Sequence, residues 1–210
     1  HVYQPDLAIN ASSTAFVQAL TEVRLSSKNH KNRETCLQQA RRNYESWNQA
    51  LKARGDVELS QIIQTVDHNS PDDTIICNGA GNYASWIHRF YRFRQYRTQL
   101  APTCGTMGYG LPAAVAAKLQ YPQRTVVAFA GDGCFMMNGQ ELATAVQYSA
   151  NIIVIIVNNG IYSTIRMHQE RSYPGRVIGT NMVNPDFCAL AKAYGAHAEL
   201  VTRTEDFAAA

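Results

Sequence analysis

The sequence predicts an α/β fold, a three-layer α/β/α sandwich with a mainly parallel sheet. Three observations carry this. The short apolar runs at residues 74–77, 125–130 and 152–157 are continuous rather than alternating, as strands buried on both faces require. Each run leads into a turn rich in Gly or Asn, and a segment of helical character follows. The chain of 210 residues is long enough for one such domain with a full core and a remnant of another.

Taken in order, residues 7–10 form a short extended piece and 13–25 a helical pattern. Together they resemble the last strand and helix of a preceding domain. Residues 29–56 are polar, with Arg and Gln recurring and Trp47 and Leu51 on one helical face, which predicts a surface or linker helix. Residues 59–66 form a short amphipathic helix, and Ser70-Pro71-Asp72-Asp73 a turn. From Thr74 the repeat of strand, loop and helix begins. It runs through a strand at 74–77, a tight loop at 78–82, a helix at 83–92 and a glycine-rich loop at 105–110 with a helix through Lys118. A strand at 125–130, a helix over 139–149 and a strand at 152–157 follow. Asn184-Pro185-Asp186 opens a further helix, with Asn184 as N-cap and Pro185 at the first position. Gly195 closes it, 197–201 forms another strand, and Thr204 caps a last helix. The organisation expected is 1–30 as the remnant of a middle domain, 31–56 as linker helix and 57–210 as a C-terminal domain truncated at its end. With His1 at the start, the chain reads as a fragment of a longer protein.

A formal net charge of +3 is too small to imply a nucleic-acid surface. The Arg-dense run at 88–97 interleaves Arg with aromatics. It suits a helix with its rings on the core and its guanidinium groups in water. The five cysteines, Cys36, Cys77, Cys104, Cys134 and Cys188, show no zinc or disulfide spacing and suit a reducing cytoplasm. No apolar run approaches the ~20 residues of a membrane helix.

The chemistry concentrates after two of the strands. Residues 125–130 lead into Gly131-Asp132-Gly133, and 152–157 into Asn158-Asn159. In an open parallel sheet, ligands sit beyond the carboxyl ends of the strands. There the loops 78–82, 131–134 and 158–162 converge. Asp132 offers a carboxylate, Asn159 a carboxamide oxygen, and Gly160 and Ile161 backbone carbonyls. These are hard oxygen donors, suited to magnesium or calcium rather than zinc. Gly131 and Gly133 permit close backbone approach, and exposed amides in glycine loops and at helix starts suit phosphate. The competing reading is that Asp132 merely caps the next helix and Asn158-Asn159 forms a turn.

Gly-Asp-Gly followed some two dozen residues later by Asn-Asn resembles the thiamine diphosphate signature. The runs Gly105-Thr-Met-Gly-Tyr-Gly-Leu-Pro-Ala-Ala114 and Asn138-Gly-Gln-Glu-Leu-Ala-Thr-Ala145 are similar to the acetolactate synthase-like branch of thiamine diphosphate-dependent enzymes. The resemblance runs from about Asp73 to the C-terminus. It implies the thiamine diphosphate-binding fold, as the C-terminal, diphosphate-binding domain of a three-domain subunit. It also implies thiamine diphosphate and Mg2+ as cofactors and a 2-keto acid substrate for a decarboxylase or carboligase. FAD in the full-length protein is compatible with the resemblance, but no residue here bears on it.

Position by position, Asp132, Asn159 and Ile161 match the metal ligands. Gly81, Asn82, Tyr83, Gly131, Gly133, Cys134 and Tyr162 match the loops around the diphosphate. Gly105 matches the carbonyl that meets the aminopyrimidine, and Met107 the wedge under the bent cofactor, a place suited to an unbranched side chain. Thr164, Ile165 and His168 match positions on the substrate side. His168 is a candidate general acid/base, and Arg166 a candidate partner for a substrate carboxylate. Glu141 reads as structural.

The resemblance implies that the activating Glu comes from the N-terminal pyrimidine-binding domain of a neighbouring subunit, outside this chain. A homodimer or homotetramer is therefore expected, with the surface around Met107 apolar and covered by a partner. The isolated chain is expected to be inactive. The chain departs from acetolactate synthases in two places. Gly160-Ile-Tyr-Ser-Thr-Ile-Arg-Met-His168 replaces their acidic, Gln-rich stretch and Trp, and Asn78-Gly-Ala-Gly-Asn82 replaces their Gly-Gln-His loop. The substrate therefore stays open, with oxalyl-CoA or benzoylformate-type decarboxylases as alternatives. A catalytically silent scaffold that keeps the fold is a further one.

Overall fold

The computed structural model describes residues 4–24, 30–53 and 55–210. The chain divides into two compact units, one up to Trp47 and one from Asn48 onward. The first contains α1 (Ser13–Glu22) and α2 (His30–Trp47). The hydroxyl of Ser12 accepts from the Ala15 amide at 3.2 Å and caps α1. The helix stops at Glu22, three residues short of the expected end, and Leu25 lies outside the described residues. Helix α2 is exposed where its side chains are described and carries pairs one turn apart, such as Arg41–Glu45 at 2.7 Å.

The second unit holds α3 (Leu59–Asn69), β1 (Ile75–Asn78), α4 (Asn82–Phe90), β2 (Gln99–Leu100) and α5 (Gly110–Gln120). It continues with β3 (Val126–Gly131), α6 (Asp132–Asn138), α7 (Glu141–Gln147), β4 (Ile153–Val157), α8 (Ser163–Ser172) and α9 (Phe187–Ala193). The four strands pair in parallel in the order β2-β1-β3-β4. Side chains alternate across each strand, so the two faces are filled by different residues. Ile76, Val127, Phe129, Ile155 and Val157 pack with Ile63 of α3 and with Ala84, Ile87 and Phe90 of α4. Ile75, Cys77, Val126 and Ala128 pack on the opposite face with Ala114 and Ala117 of α5. Ala130 joins Leu111, Val115, Phe135, Leu142 and Ala145 there. The result is the expected three layers, with an all-parallel sheet. Burial pushes the Cys77 thiol up to about 12, so it behaves as a small apolar core group.

The Arg-rich run after α4 is tied to α3. The Asp67 carboxylate, 2% exposed, accepts from the Arg92 amide at 3.1 Å and Arg92 Nε at 2.9 Å. It also accepts from Arg94 Nη1 at 2.8 Å and Nη2 at 3.2 Å. Burial alone would raise the Asp67 pKa, but the bonds from Arg94 and Arg92 outweigh it and hold the carboxyl below its ordinary value.

Several expectations are corrected. Strand β2 is only two residues long, too short to carry a hydrophobic period. Residues 197–201 form no strand. They have no neighbouring strand to pair with among the described residues. The N-cap of α9 is Asp186, which accepts from the amides of Cys188 at 2.9 Å and Ala189 at 3.0 Å; Asn184 is used elsewhere. Thr204 begins a 3-10 turn, but its hydroxyl bonds the Asp56 carbonyl at 3.0 Å and the Glu58 amide at 2.8 Å. Residues 131–134 are not a loop, because α6 starts at Asp132. Among the described residues, no helix is long and apolar enough to cross a membrane.

Candidate functional site

The parallel register sets Gly131 beside Val157 at the carboxyl ends of β3 and β4. Asp132 and Asn158 therefore leave the sheet side by side. Asp132 enters α6 as its first residue and is 4% exposed. Its Oδ1 accepts from the Gly133 amide at 2.8 Å. Its Oδ2 accepts three hydrogen bonds, from the amides of Asn159 at 3.1 Å and Gly160 at 2.6 Å and from Asn184 Nδ2 at 2.7 Å. A carboxylate offers about four lone-pair positions, and one of those on Oδ1 stays open.

The loop after β4 is a second cradle. Gly160, at φ +65°, takes the left-handed turn that glycine permits and brings its amide to Asp132. Asn159 Oδ1 accepts from the Ile161 amide at 3.1 Å, while its Nδ2 donates to Ser163 Oγ at 2.7 Å. The Ile161 carbonyl accepts from the Ser163 amide at 2.8 Å and, at a long 3.3 Å, from the Ser163 hydroxyl. The loop is stitched to a later segment by the antiparallel bridge between Ile161 and Asn181. The Tyr162 amide donates to the Thr180 carbonyl and the Met182 amide to the Gly160 carbonyl, both at 2.8 Å. Carboxylate, carboxamide and carbonyl form a hard oxygen set carrying a single charge, which fits Mg2+ completed by phosphate oxygens and water. Among the described residues no three His, Cys, Asp or Glu side chains converge.

The neighbouring cluster, expected from the sequence to meet the diphosphate, is built around Cys134 and Tyr83, both buried. The Tyr83 hydroxyl accepts from the Gly79 amide at 2.9 Å and donates to Cys134 Sγ at 3.2 Å, and the Gly108 amide donates to the same sulfur at 3.2 Å. Burial, with the Cys134 contact adding to it, pushes the Tyr83 phenol well above its usual range, so it stays a donor. One thiol thus joins the loop after β1, the loop before α5 and the start of α6. A Cβ on Gly79 would crowd Cys134 Sγ, and one on Gly133 would lie 2.5 Å from the Tyr162 ring. A larger residue at either position would have to displace that side chain. The Tyr83→Phe variant is expected to leave the Gly79 amide buried and unpaired. Its cost is about 1–3 kcal/mol in a urea melt, and unchanged stability would show that the bond contributes nothing.

Gly81, at φ +149°, caps α4 without a side-chain hydrogen bond. The Ala84 amide donates to the Gly81 carbonyl at 3.1 Å, and with no side-chain cap over the turn its N-terminal end suits an anion. Asn82 Oδ1 accepts from Thr164 Oγ1 at 2.8 Å, which joins the diphosphate and substrate sides expected from the sequence. Gly105 is exposed at φ +69°. Met107 is half-buried and packs on the cluster that holds Ile63 and Phe129. His168 is exposed on α8, 3.1 Å from Arg171 through Nδ1. It borders a shallow depression of about 330 Å3 that Ile165 and Tyr173 also line, apart from the oxygen set. Arg166 pairs with Glu170 at 2.8 Å, and Glu141 accepts from Thr144 Oγ1 at 2.8 Å. Sequence reasoning missed Ser163 and Asn184. An Asn before Pro-Asp looks like a cap, and no local pattern betrays a partner 52 residues away.

Residues 79–210 match the family model described as "Thiamine pyrophosphate enzyme, C-terminal TPP binding domain". The chain belongs to this family. The matched span begins at the Gly79 turn and contains both cradles. The chain is 38% identical over 159 residues to the acetolactate synthase large subunit of Corynebacterium glutamicum, covering 72% of this chain and 25% of that protein. It is 40% identical over 146 residues to acetolactate synthase of Arthrospira platensis, covering 69% and 24%. It thus spans about a quarter of the length of these curated relatives. Among solved structures, the thiamine diphosphate-dependent 4-hydroxybenzoylformate decarboxylase of Rhodococcus jostii superposes with a TM-score of 0.72 at 30% identity. That match covers 78% of this chain and 31% of that one.

Proposed function

We propose that this domain is the metal- and diphosphate-binding part of a thiamine diphosphate- and Mg2+-dependent 2-keto acid decarboxylase or carboligase. The observation that carries the reading is the buried Asp132 carboxylate, held by four N–H donors with a lone pair of Oδ1 left over. Asp132, Asn159 and Ile161 would hold the metal. The first turn of α4, with Gly81, Asn82 and Tyr83, would face the diphosphate, and Met107 would support the cofactor from below. When bound, thiamine diphosphate supplies the carbon nucleophile and electron sink that decarboxylation of a 2-keto acid needs. The chain's own residues bind and orient it.

The group that activates the cofactor is read as belonging to the pyrimidine-binding domain of a neighbouring subunit. Support for an assembly comes from the end of α6 and the loop before α5. Tyr109, Met136 and Met137 are exposed there, the kind of apolar surface a partner covers. The structural relative's own activity favours an aromatic 2-keto acid as the alternative substrate to the small ones of acetolactate synthases.

Calorimetry of the protein with thiamine diphosphate tests the reading. Binding is expected with Mg2+ and is expected to vanish with excess EDTA. Identical heats with and without the divalent ion, or none in either case, would overturn it and favour the silent scaffold.

A further inference from the structure

Asp132 is held asymmetrically. Its Oδ2 takes three donors and its Oδ1 one. Two of the three come from backbone amides of the turn that also supplies Asn159. The third is Asn184 Nδ2, at 2.7 Å, which also donates to Asn158 Oδ1 at 2.8 Å. A carboxamide nitrogen carries two hydrogens, so both are spent. One goes to the carboxylate and the other to the first residue of the Asn-Asn pair.

Asn184 is itself held from both sides. Upstream, Met182 and Thr180 are bonded to the 160–162 loop through their backbones. Downstream, Pro185 restricts the Asn184 backbone to extended conformations, and Asp186 is fixed by capping α9. The carboxamide therefore approaches Asp132 from a rigid mount. Tilting of the carboxylate about its last bond would break these bonds, and three donors on one oxygen hold its plane.

We propose that Asn184 is a positioning residue for the metal. It holds Asp132 Oδ2 and Asn158 together so that Oδ1 is presented to the cation, and it does not touch the metal itself. The proposal divides the Asn-Asn pair: Asn159 faces the metal, and Asn158 is a prop that locks Asn184. It rests on the reading of Asp132 as a metal ligand. Outer groups of this kind typically change metal affinity by about 10–100-fold when removed.

The test is Mn2+ titration followed by electron paramagnetic resonance of the free ion, in the presence of thiamine diphosphate. Thermal melts of the apoprotein run in parallel. Wild type is expected to take up Mn2+, and Asp132→Ala is expected to lose it. Asn184→Ala is expected to weaken Mn2+ binding at least tenfold while the apoprotein melts within a few degrees of wild type. Asn158→Ala, which spares the Asn184–Asp132 bond, is expected to weaken it by a smaller factor.

If Asn184→Ala fails to fold, Asn184→Gln carries the measurement. It keeps both hydrogens on a longer stem and is expected to weaken binding at least threefold. Should wild type take up no Mn2+, or Asp132→Ala bind as wild type does, the functional reading falls and this proposal with it. Should Asp132→Ala lose the ion while the Asn184 variant that folds binds within twofold of wild type, this proposal alone is overturned.

Discussion

Asp132→Ala is expected to weaken Mg2+-dependent binding of thiamine diphosphate by at least 100-fold, roughly 2.7 kcal/mol. Asp132→Asn is expected to do nearly as much. The alanine variant removes the one carboxylate of the set and leaves Asn159 and Ile161, two neutral dipoles, facing a divalent ion that prefers charged oxygen. The asparagine variant keeps the shape and still fails, because a carboxamide has a single oxygen. If that oxygen turns toward the amides of Asn159 and Gly160 and toward Asn184 Nδ2, its NH2 points where the cation should sit and meets the Gly133 amide. If it turns the other way, three donors face a donor. Calorimetry with both variants checks this. Binding within tenfold of wild type in either would mean that Asp132 is not the charged ligand.

Asp67→Ala is expected to destabilise the second unit by about 3 kcal/mol. Breaking one side of a buried ion pair typically costs about 3–5 kcal/mol. The lower end applies because the side chains of Arg92 and Arg94 keep 54% and 30% of their exposure and can turn to water. The loss also includes the bond to the Arg92 amide, which ties the chain after α4 back to α3. The pH dependence has a definite sign. The folded Asp67 pKa is lowered, so its contribution is fully present above the unfolded value of about 3.9. It is lost as pH falls through the lower folded value. Urea midpoints measured from pH 7 down to pH 2 should fall steeply below about pH 4 in wild type and more gently in Asp67→Asn. Parallel profiles would rule the pair out as the source.

The sheet and its two cradles were legible because they are local. Buried parallel strands write themselves as continuous apolar runs, and the residues after such strands in neighbouring register share an edge. That logic places Asp132 beside the Asn158-Asn159 turn from the sequence alone. It failed where spatial partners replaced local ones. Asn184 has the composition of a cap, yet its amide hydrogens reach Asp132 and Asn158, so Asp186 caps the helix instead. Residues 197–201 read as a strand but have no paired neighbour among the described residues. Strand β2 exists because Ile76 and Cys77 of β1 pair with Gln99 and Leu100, not because its two residues favour extension. The resemblance placed Cys134 beside the diphosphate loops, but its bonds to Tyr83 and Gly108 were invisible for a related reason. A thiol that receives a phenol and a backbone amide looks in sequence like any small buried residue.

The donors on Asp132 lie at positions 133, 159, 160 and 184, so this carboxylate is a long-range closure and not a local turn. Half of the donors arrive only once β4 has docked, and the last only when the chain before α9 has returned to the sheet. An ion or cofactor that recognises the finished arrangement binds no partly folded chain. Its binding energy is therefore shared by the whole matched span through mass action. A ligand present at about a hundred times its dissociation constant would add roughly 2.7 kcal/mol to the stability of everything between the first cradle and the last. The occupancy of this one small site would then set how long the domain survives in its folded form.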